Sequence, residues 1–302
     1  MVETFSSQAL RQNDNHFQTL LSARSGIYRL ATMWQITQIT LTLAVPVVLS
    51  FTSLHFAWLR PYVACYALFV SILDILLIDR LIKRFIKQSA LVSEMFDTDL
   101  FRVAWNAFVC GKRMQPEDIR DFSKYCSVDS KTKLGDWYPI AIAAAPHDVA
   151  TLICQRTNLF YDGRVRGRSA WLLLAFPIIY VVVILAMALW WSLSFNDLVL
   201  TVVSPSAAVL IWSLRERFRQ LDAIAAGESL RGEVEKSWQS LLEAGSEQSA
   251  DSRIRQLQDS IFLRRSQNPL PLPFIYRFIR SGSEDAMNFG AENLLKDAGY
   301  LP

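Results

Sequence analysis

From Ala170 to Leu193 the chain reads AWLLLAFPIIYVVVILAMALWWSL, directly after Arg164, Arg166 and Arg168. No charged side chain interrupts it. Trp171 and Trp190 stand 19 positions apart, about 28 Å of helix at ~1.5 Å per residue, which is one hydrocarbon thickness. Three further apolar stretches of similar reach follow the same pattern: roughly Met33 to Leu54, Pro61 to Ile78, and Leu198 to Leu214, the last interrupted by Ser204-Pro205-Ser206. They concentrate apolar residues into long runs in a 302-residue chain that is 52% hydrophobic with a mean hydropathy of +0.21. This distribution excludes an ordinary soluble enzyme, a disordered chain and a membrane β-barrel, whose strands show only ~10-residue alternating segments. The expected fold is an all-α polytopic membrane protein: four transmembrane helices in two hairpins, a helical cytoplasmic insert between them and a helical C-terminal region.

The charges orient it. With the N-terminus inside, 3 of the 31 Lys and Arg residues precede the first span, 15 lie between Arg80 and Arg168, 12 between Arg215 and Lys296, and Arg60 stands by itself in an outer loop. The clusters at the span ends decide orientation: Arg80, Lys83, Arg84 and Lys87; Arg164, Arg166 and Arg168; Arg215, Arg217 and Arg219. Both termini are expected to be cytoplasmic. The segments read as 1–32 cytoplasmic, 33–80 the first hairpin, 81–169 the insert, 170–214 the second hairpin and 215–302 the C-terminal region. The first ~30 residues lack an apolar core before Ala31 and so do not resemble a signal peptide. Trp34, Trp58, Trp171, Trp190, Trp191 and Trp212 all fall at expected lipid–water boundaries.

Within the spans, Gln35, Gln38 and Thr42 form a polar stripe, and Pro46 is expected to kink the first helix. Amides in lipid need partners, so the stripe either bonds neighbouring helices or faces a pore in an oligomer. Asp74 is an ionisable group inside the second span, which reads either as a functional group or as a carboxylate solvated near the inner interface. Four spans without a recognisable internal repeat do not make a transporter, and a K⁺-type filter sequence is missing.

The insert is expected to be mostly helical, with breaks near Gly111 to Pro116, Gly135 and Ala145-Pro146. After the fourth span an amphipathic helix continues through Phe218, Leu221, Ala225, Val234, Trp238 and Leu241. Gly245 to Ser252 reads as a linker. Pro269, Pro271 and Pro273 force an extended stretch before a last helix from about Ser283 to Asp297. The three histidines are scattered and the four cysteines form no C-x-x-C pair, so no metal site is expected. No phosphate-loop, nucleophile-elbow or zinc-protease motif occurs, so an enzyme is not expected. One stretch combines aromatic faces, amides and guanidinium groups: Trp137 and Tyr138, then Gln155, Arg156, Asn158, Tyr161, Arg164, Arg166 and Arg168. That is the chemistry that stacks bases and clamps phosphates. The last three arginines serve equally as positive-inside anchors on anionic lipid.

The order of these features resembles a family. Arg11-Gln12-Asn13, Ala23-Arg24 and Tyr28 precede the first span; Phe96-Asp97, Trp105-Asn106, Trp137-Tyr138, Cys154-Gln155-Arg156-x-Asn158 and Tyr161-Asp162 follow in the insert; Leu257-Gln258-Asp259-x-Ile261 with Arg264 come late. Together they resemble the SMODS-associating four-transmembrane effectors of bacterial cyclic-oligonucleotide anti-phage signalling, over nearly the whole chain. The resemblance implies a non-enzymatic effector in the bacterial inner membrane that needs no cofactor. It implies a cyclic di- or oligonucleotide second messenger as activating ligand, no DNA or RNA polymer as partner, and a homo-oligomer that permeabilises the lipid bilayer and causes abortive infection. The ligand contacts expected on this basis are Arg156, Asn158, Gln155, Trp137, Tyr138, Arg164 and Arg166. Gln35, Gln38, Thr42 and Asp74 are expected in the membrane path or in bundle packing. The competing readings are a channel or scaffold gated by another signal or protein partner, and a membrane-bound enzyme acting on lipid or nucleotide.

Overall fold

The computed structural model describes residues 10–190, 204–244, 250–273 and 275–301, with single positions between 191 and 203. Every regular element among them is helical. Helix α1 (Asn15–Ile39) runs through a π-turn at Thr40–Ala44 into α2 (Val45–His55). A 3-10 turn at Ala57–Leu59 leads into α3 (Arg60–Leu73), which passes through a second π-turn at Asp74–Ile78 into α4 (Asp79–Phe101). The irregularity expected at Pro46 is thus taken up just before it. Proline has no N–H for the carbonyl four residues back and crowds that turn, so a widened turn there relieves the mismatch.

Three short helices follow, α5 (Ala107–Cys110), α6 (Pro116–Ser123) and α7 (Val128–Lys131), then a 3-10 turn at Ile140–Ala144. The breaks fall where Gly111, Gly135 and Pro146 place them. Helices α8 (His147–Trp190) and α9 (Ser204–Ala244) are the long pair. The 44 residues of α8 make about 66 Å of helix, roughly twice the hydrocarbon thickness, so its first half lies in the polar body. Near the membrane boundary Ser213 Oγ donates to Leu173 O at 2.5 Å and Arg217 Nη1 to Ala170 O at 2.6 Å, pinning α9 to α8. After α10 (Ala250–Gln267) comes a non-helical strap, Asn268–Pro273, and then α11 (Ile275–Asp297). This last helix begins well before the expected Ser283. It starts as soon as Pro273 is passed, and its first residue, Ile275, is 3% exposed against Val165.

Three stretches of described residues are long and apolar enough to cross a membrane: Asn15–Leu49, Pro61–Phe101 and His147–Val183. The fourth expected span, Leu198 to Leu214, lies in its first third outside the described residues and is helical from Ser204 onward. Leu68, Phe69, Phe176 and Ile179 point outward, each more than 60% exposed. A water-facing surface would not carry such a band, whereas lipid solvates it. Each of the four boundaries read from the sequence, 32/33, 80/81, 169/170 and 214/215, falls inside an unbroken helix. Span and body are therefore joined without a linker.

The core of the body sits where α1, α4 and α8 meet. Phe17, Leu20, Leu21 and Ile27 from α1 pack on Val92, Phe96 and Phe101 from α4, with Tyr138, Ile142 and Ile153 closing the cluster. Gly26 lets α1 lie directly on α6: a Cβ there would stand 2.1 Å from the carbonyl oxygen of Phe122.

Candidate functional site

Four helices and the strap enclose a cleft at the polar end of the spans. Helix α1 contributes Arg24 and Tyr28, α4 contributes Ile86, α8 contributes Asn158, Tyr161, Asp162 and Arg166, and α10 contributes Arg264 and Arg265. Trp137 and the strap residues Asn268 to Pro271 complete the wall. The α8 residues arise from helical phase: Asn158, Asp162 and Arg166 recur every four positions and share one face.

Arg24, Arg166 and Arg264 are each held by more than one contact. Arg24 lies over the rings of Trp137 (4.6 Å) and Tyr28 (5.0 Å) while its Nε donates to Ser93 Oγ at 2.9 Å. Arg166, 6% exposed, donates from Nε to Asp162 Oδ2 at 2.8 Å and from Nη1 to Gln220 Oε1 at 2.9 Å and Pro269 O at 2.7 Å. Arg264 donates from Nη2 to the same Asp162 oxygen and to Ala223 O, both at 2.9 Å, while its buried Nε has no partner among the described residues. Burial pulls the Arg264 guanidinium below its ordinary value, with Asp162 opposing, and it stays cationic at neutral pH. It fits against α9 because position 227 is glycine: a Cβ there would stand 2.3 Å from Arg264 Nη2.

Arg265 reaches through the cleft wall. Its Nη1 donates to Asp97 Oδ2 at 2.6 Å, Tyr138 Oη donates to Asp97 Oδ1 at 2.7 Å, and Asn158 Nδ2 donates to Tyr138 Oη at 2.6 Å. Burial and then the adjoining Asp97 push the Tyr138 phenol well above its ordinary value, so it remains a neutral donor. Burial lowers Arg265, but the Asp97 carboxylate more than reverses this and holds it above its ordinary value. Behind this layer Gln155 Nε2 donates to Gln258 Oε1 at 3.1 Å, and Gln258 Nε2 to Glu94 Oε2 at 2.8 Å. These buried bonds fix the rotamers in front of them, although Gln155 Oε1 finds no partner among the described residues.

Of the ligand contacts expected from the sequence, Trp137, Asn158 and Arg166 come together at the cleft. Tyr138, 2% exposed, and Gln155, 1% exposed, lie in the network behind it. Arg156 is two residues from Asn158, about 200° around the helix. It therefore faces α9, where its Nε donates to Glu235 Oε1 at 2.8 Å. Arg164 is likewise on the far side, over the ring of Phe160 at 5.7 Å. Arg24, Tyr28, Tyr161, Asp162 and Arg264 belonged to the family-like pattern without being read as site residues, and Arg265 lay outside it. Stepping by four from Asn158 through Asp162 to Arg166 was the signal that could have found the α8 members.

In the membrane segments Gln38 Nε2 donates to Asp74 Oδ1 at 2.7 Å, so these two polar groups are each other's partners. Asp74 opens the second π-turn, and Thr42 Oγ1 returns a bond to Gln38 O at 2.7 Å. Tyr66 Oη donates to Leu41 O, a carbonyl of the first π-turn, at 3.1 Å. Gln35, 7% exposed, donates to Leu270 O of the strap at 3.5 Å, and its Oε1 has no partner among the described residues.

Residues 9–294 match the model of the SMODS-associating 4TM effector domain. A protein of Bacillus cereus strain VD146 described as a probable CBASS effector molecule is 26% identical over 214 residues, which cover 69% of each chain. No solved structure matches. Since the family model spans nearly the whole chain, spans and cleft included, the chain belongs to the SMODS-associating four-transmembrane effector family.

Proposed function

We propose that the protein is a CBASS effector of the bacterial inner membrane that binds a cyclic dinucleotide in the arginine cleft and, as a homo-oligomer, permeabilises the bilayer. The observation that carries this reading is the charge of the cleft. Four guanidinium groups, Arg24, Arg166, Arg264 and Arg265, face two carboxylates, Asp162 in the wall and Asp97 behind it. The surplus of two positive charges matches the two phosphodiesters of a cyclic dinucleotide, and arginine forks suit such oxygens. Tyr28, Trp137 and Tyr161 offer faces on which bases stack, at about 1–3 kcal/mol per base. The family assignment and the description of the Bacillus relative support the defence role.

The reading places both termini in the cytoplasm, where a messenger made during infection would reach the cleft. No turnover is required of it: a ligand shifts a closed-to-open equilibrium by its differential affinity for the two states. A symmetric oligomer lets each binding event act on neighbouring subunits. The test is leakage from dye-loaded liposomes carrying the purified protein, with cyclic di-GMP, cyclic di-AMP and cyclic GMP–AMP added in turn. Release with one member, lost in Arg264→Ala and Arg24→Ala, is expected. Absence of both binding and release with every member overturns the proposal, and hydrolysis of an added nucleotide would favour an enzyme.

A further inference from the structure

We infer that the strap Asn268–Pro273 is the transmission between the cleft and the first membrane hairpin, with Leu270 as the plug that holds the hairpin closed. This rests on the reading of the cleft as the ligand site and names how that site is connected to its output.

The strap is unusual in how it is held. Pro269, Pro271 and Pro273 have no N–H, so it can join neither a helix nor a sheet, and side chains of other helices take up its backbone groups instead. Arg166 Nη1 donates to Pro269 O at 2.7 Å, and Gln220 Nε2 of α9 donates to Leu270 O at 2.8 Å. Gln35 Nε2 of α1 shares that carbonyl at 3.5 Å, and Leu272 N donates to Ser169 Oγ of α8 at 3.3 Å. The Leu270 side chain, 6% exposed, is buried among Ala31, Ile78, Ile82 and Ile86, where α1 and α4 converge on the membrane. Leu270 thus touches or bonds α1, α4 and α9, and its neighbours Pro269 and Leu272 bond α8, so the strap meets all four helices that lead into the spans.

The same strap forms a wall of the cleft. The cleft now encloses about 70 Å³, well under the ~300–1,000 Å³ of sites that bury a drug-sized ligand, so a dinucleotide must widen it. Helices α4, α8 and α10 are braced by the Asp97 and Asp162 networks and α1 is tied to α4 through Arg24 and Ser93, whereas the strap, between backbone bonds at its two ends, is held by four side-chain bonds. A phosphodiester that engages Arg166 competes directly with Pro269 O for the same guanidinium. Moving this wall outward withdraws Leu270 from between Ala31 and Ile82. Because α1 and α4 continue unbroken into the spans, the loss of that wedge is felt at the level of Gln38 and Asp74.

The test needs no ligand. Leu270→Ala empties the plug's site, and Gln35→Leu removes the tie between α1 and the strap. Both are expected to raise dye release from liposomes at least tenfold without any nucleotide. Leu257→Ala makes a cavity of similar size in the separate core of α8, α9 and α10 and is expected to leak like the wild type. Wild-type basal leakage in both Leu270→Ala and Gln35→Leu, with circular dichroism showing them folded, overturns the inference, as does equal leakage from Leu257→Ala. A wild-type protein that ignores every nucleotide while Leu270→Ala leaks would retain the transmission and discard the proposed ligand.

Discussion

At the scale of single residues, arginines close together in sequence have different tasks. Arg156 and Arg166 both come from the stretch that the sequence marks as ligand-like, yet helical phase sends one to Glu235 and the other to the cleft. Arg156→Ala is expected to leave nucleotide affinity unchanged and to cost no more than about 1 kcal/mol of stability, because its ion pair is partly exposed. Isothermal titration beside a denaturation curve checks both statements. Gly227→Ala is the complementary case. The added methyl would collide with the Arg264 guanidinium, the mobile end of a long side chain, so the helix stays and the arginine moves. A gain of up to ~1 kcal/mol in helix propensity offsets the lost bond to Asp162. Thermal stability should change little while nucleotide affinity falls tenfold or more. Unchanged affinity would show that Arg264 does not read the ligand.

At the scale of elements, periodicity and breakers make the helices legible in the sequence. The hydrophobic runs, Pro146 ahead of α8 and the three prolines of the strap mark where elements begin and end. The contents of the cleft were less legible, because Arg24, Asp162 and Arg264 are brought together across more than two hundred residues by packing that no local pattern encodes. The π-turn at Asp74–Ile78 was equally hidden, since it answers a tertiary need: Asp74 must meet Gln38. In a double-mutant cycle of Gln38→Leu and Asp74→Leu, each single change leaves an unpaired polar group in lipid. The double variant should recover about 0.5–2 kcal/mol relative to the sum of the singles. Additive losses in detergent unfolding would mean that the pair does not couple the two helices. Gly26→Ala tests the seam between α1 and α6. The obstacle there is the backbone of Phe122 and Cys126, so the helices must part, at about 1–3 kcal/mol. Gly163→Ala, whose Cβ would find its nearest neighbour 3.7 Å away at Glu228, is the control expected to lose nothing.

At the scale of the whole molecule, charge and continuity act together. Thirty of the 31 basic residues lie on one side of the expected spans, and Arg60 lies on the other. All four expected boundaries between body and spans fall inside continuous helices, an arrangement that leaves the body no free rotation against the membrane part. The side on which the arginine cleft opens is therefore fixed by the charge count that orients the spans. This makes orientation and ligand access a single prediction. Alkaline phosphatase, which needs an oxidising compartment, should be active when inserted at Trp58 and inactive when fused after Leu301. Green fluorescent protein fused after Leu301 should fluoresce. The reverse pattern would place the cleft outside the cell, out of reach of any messenger made within it, and would remove the cyclic-nucleotide reading along with the topology. Adding four lysines beside Arg60 should weaken the bias and yield a mixed population by the same assay, because the outer loop is short and its charge counts in full against the inner clusters. A population that stays uniform would mean that packing of the continuous helices, and not the charge difference, fixes the orientation.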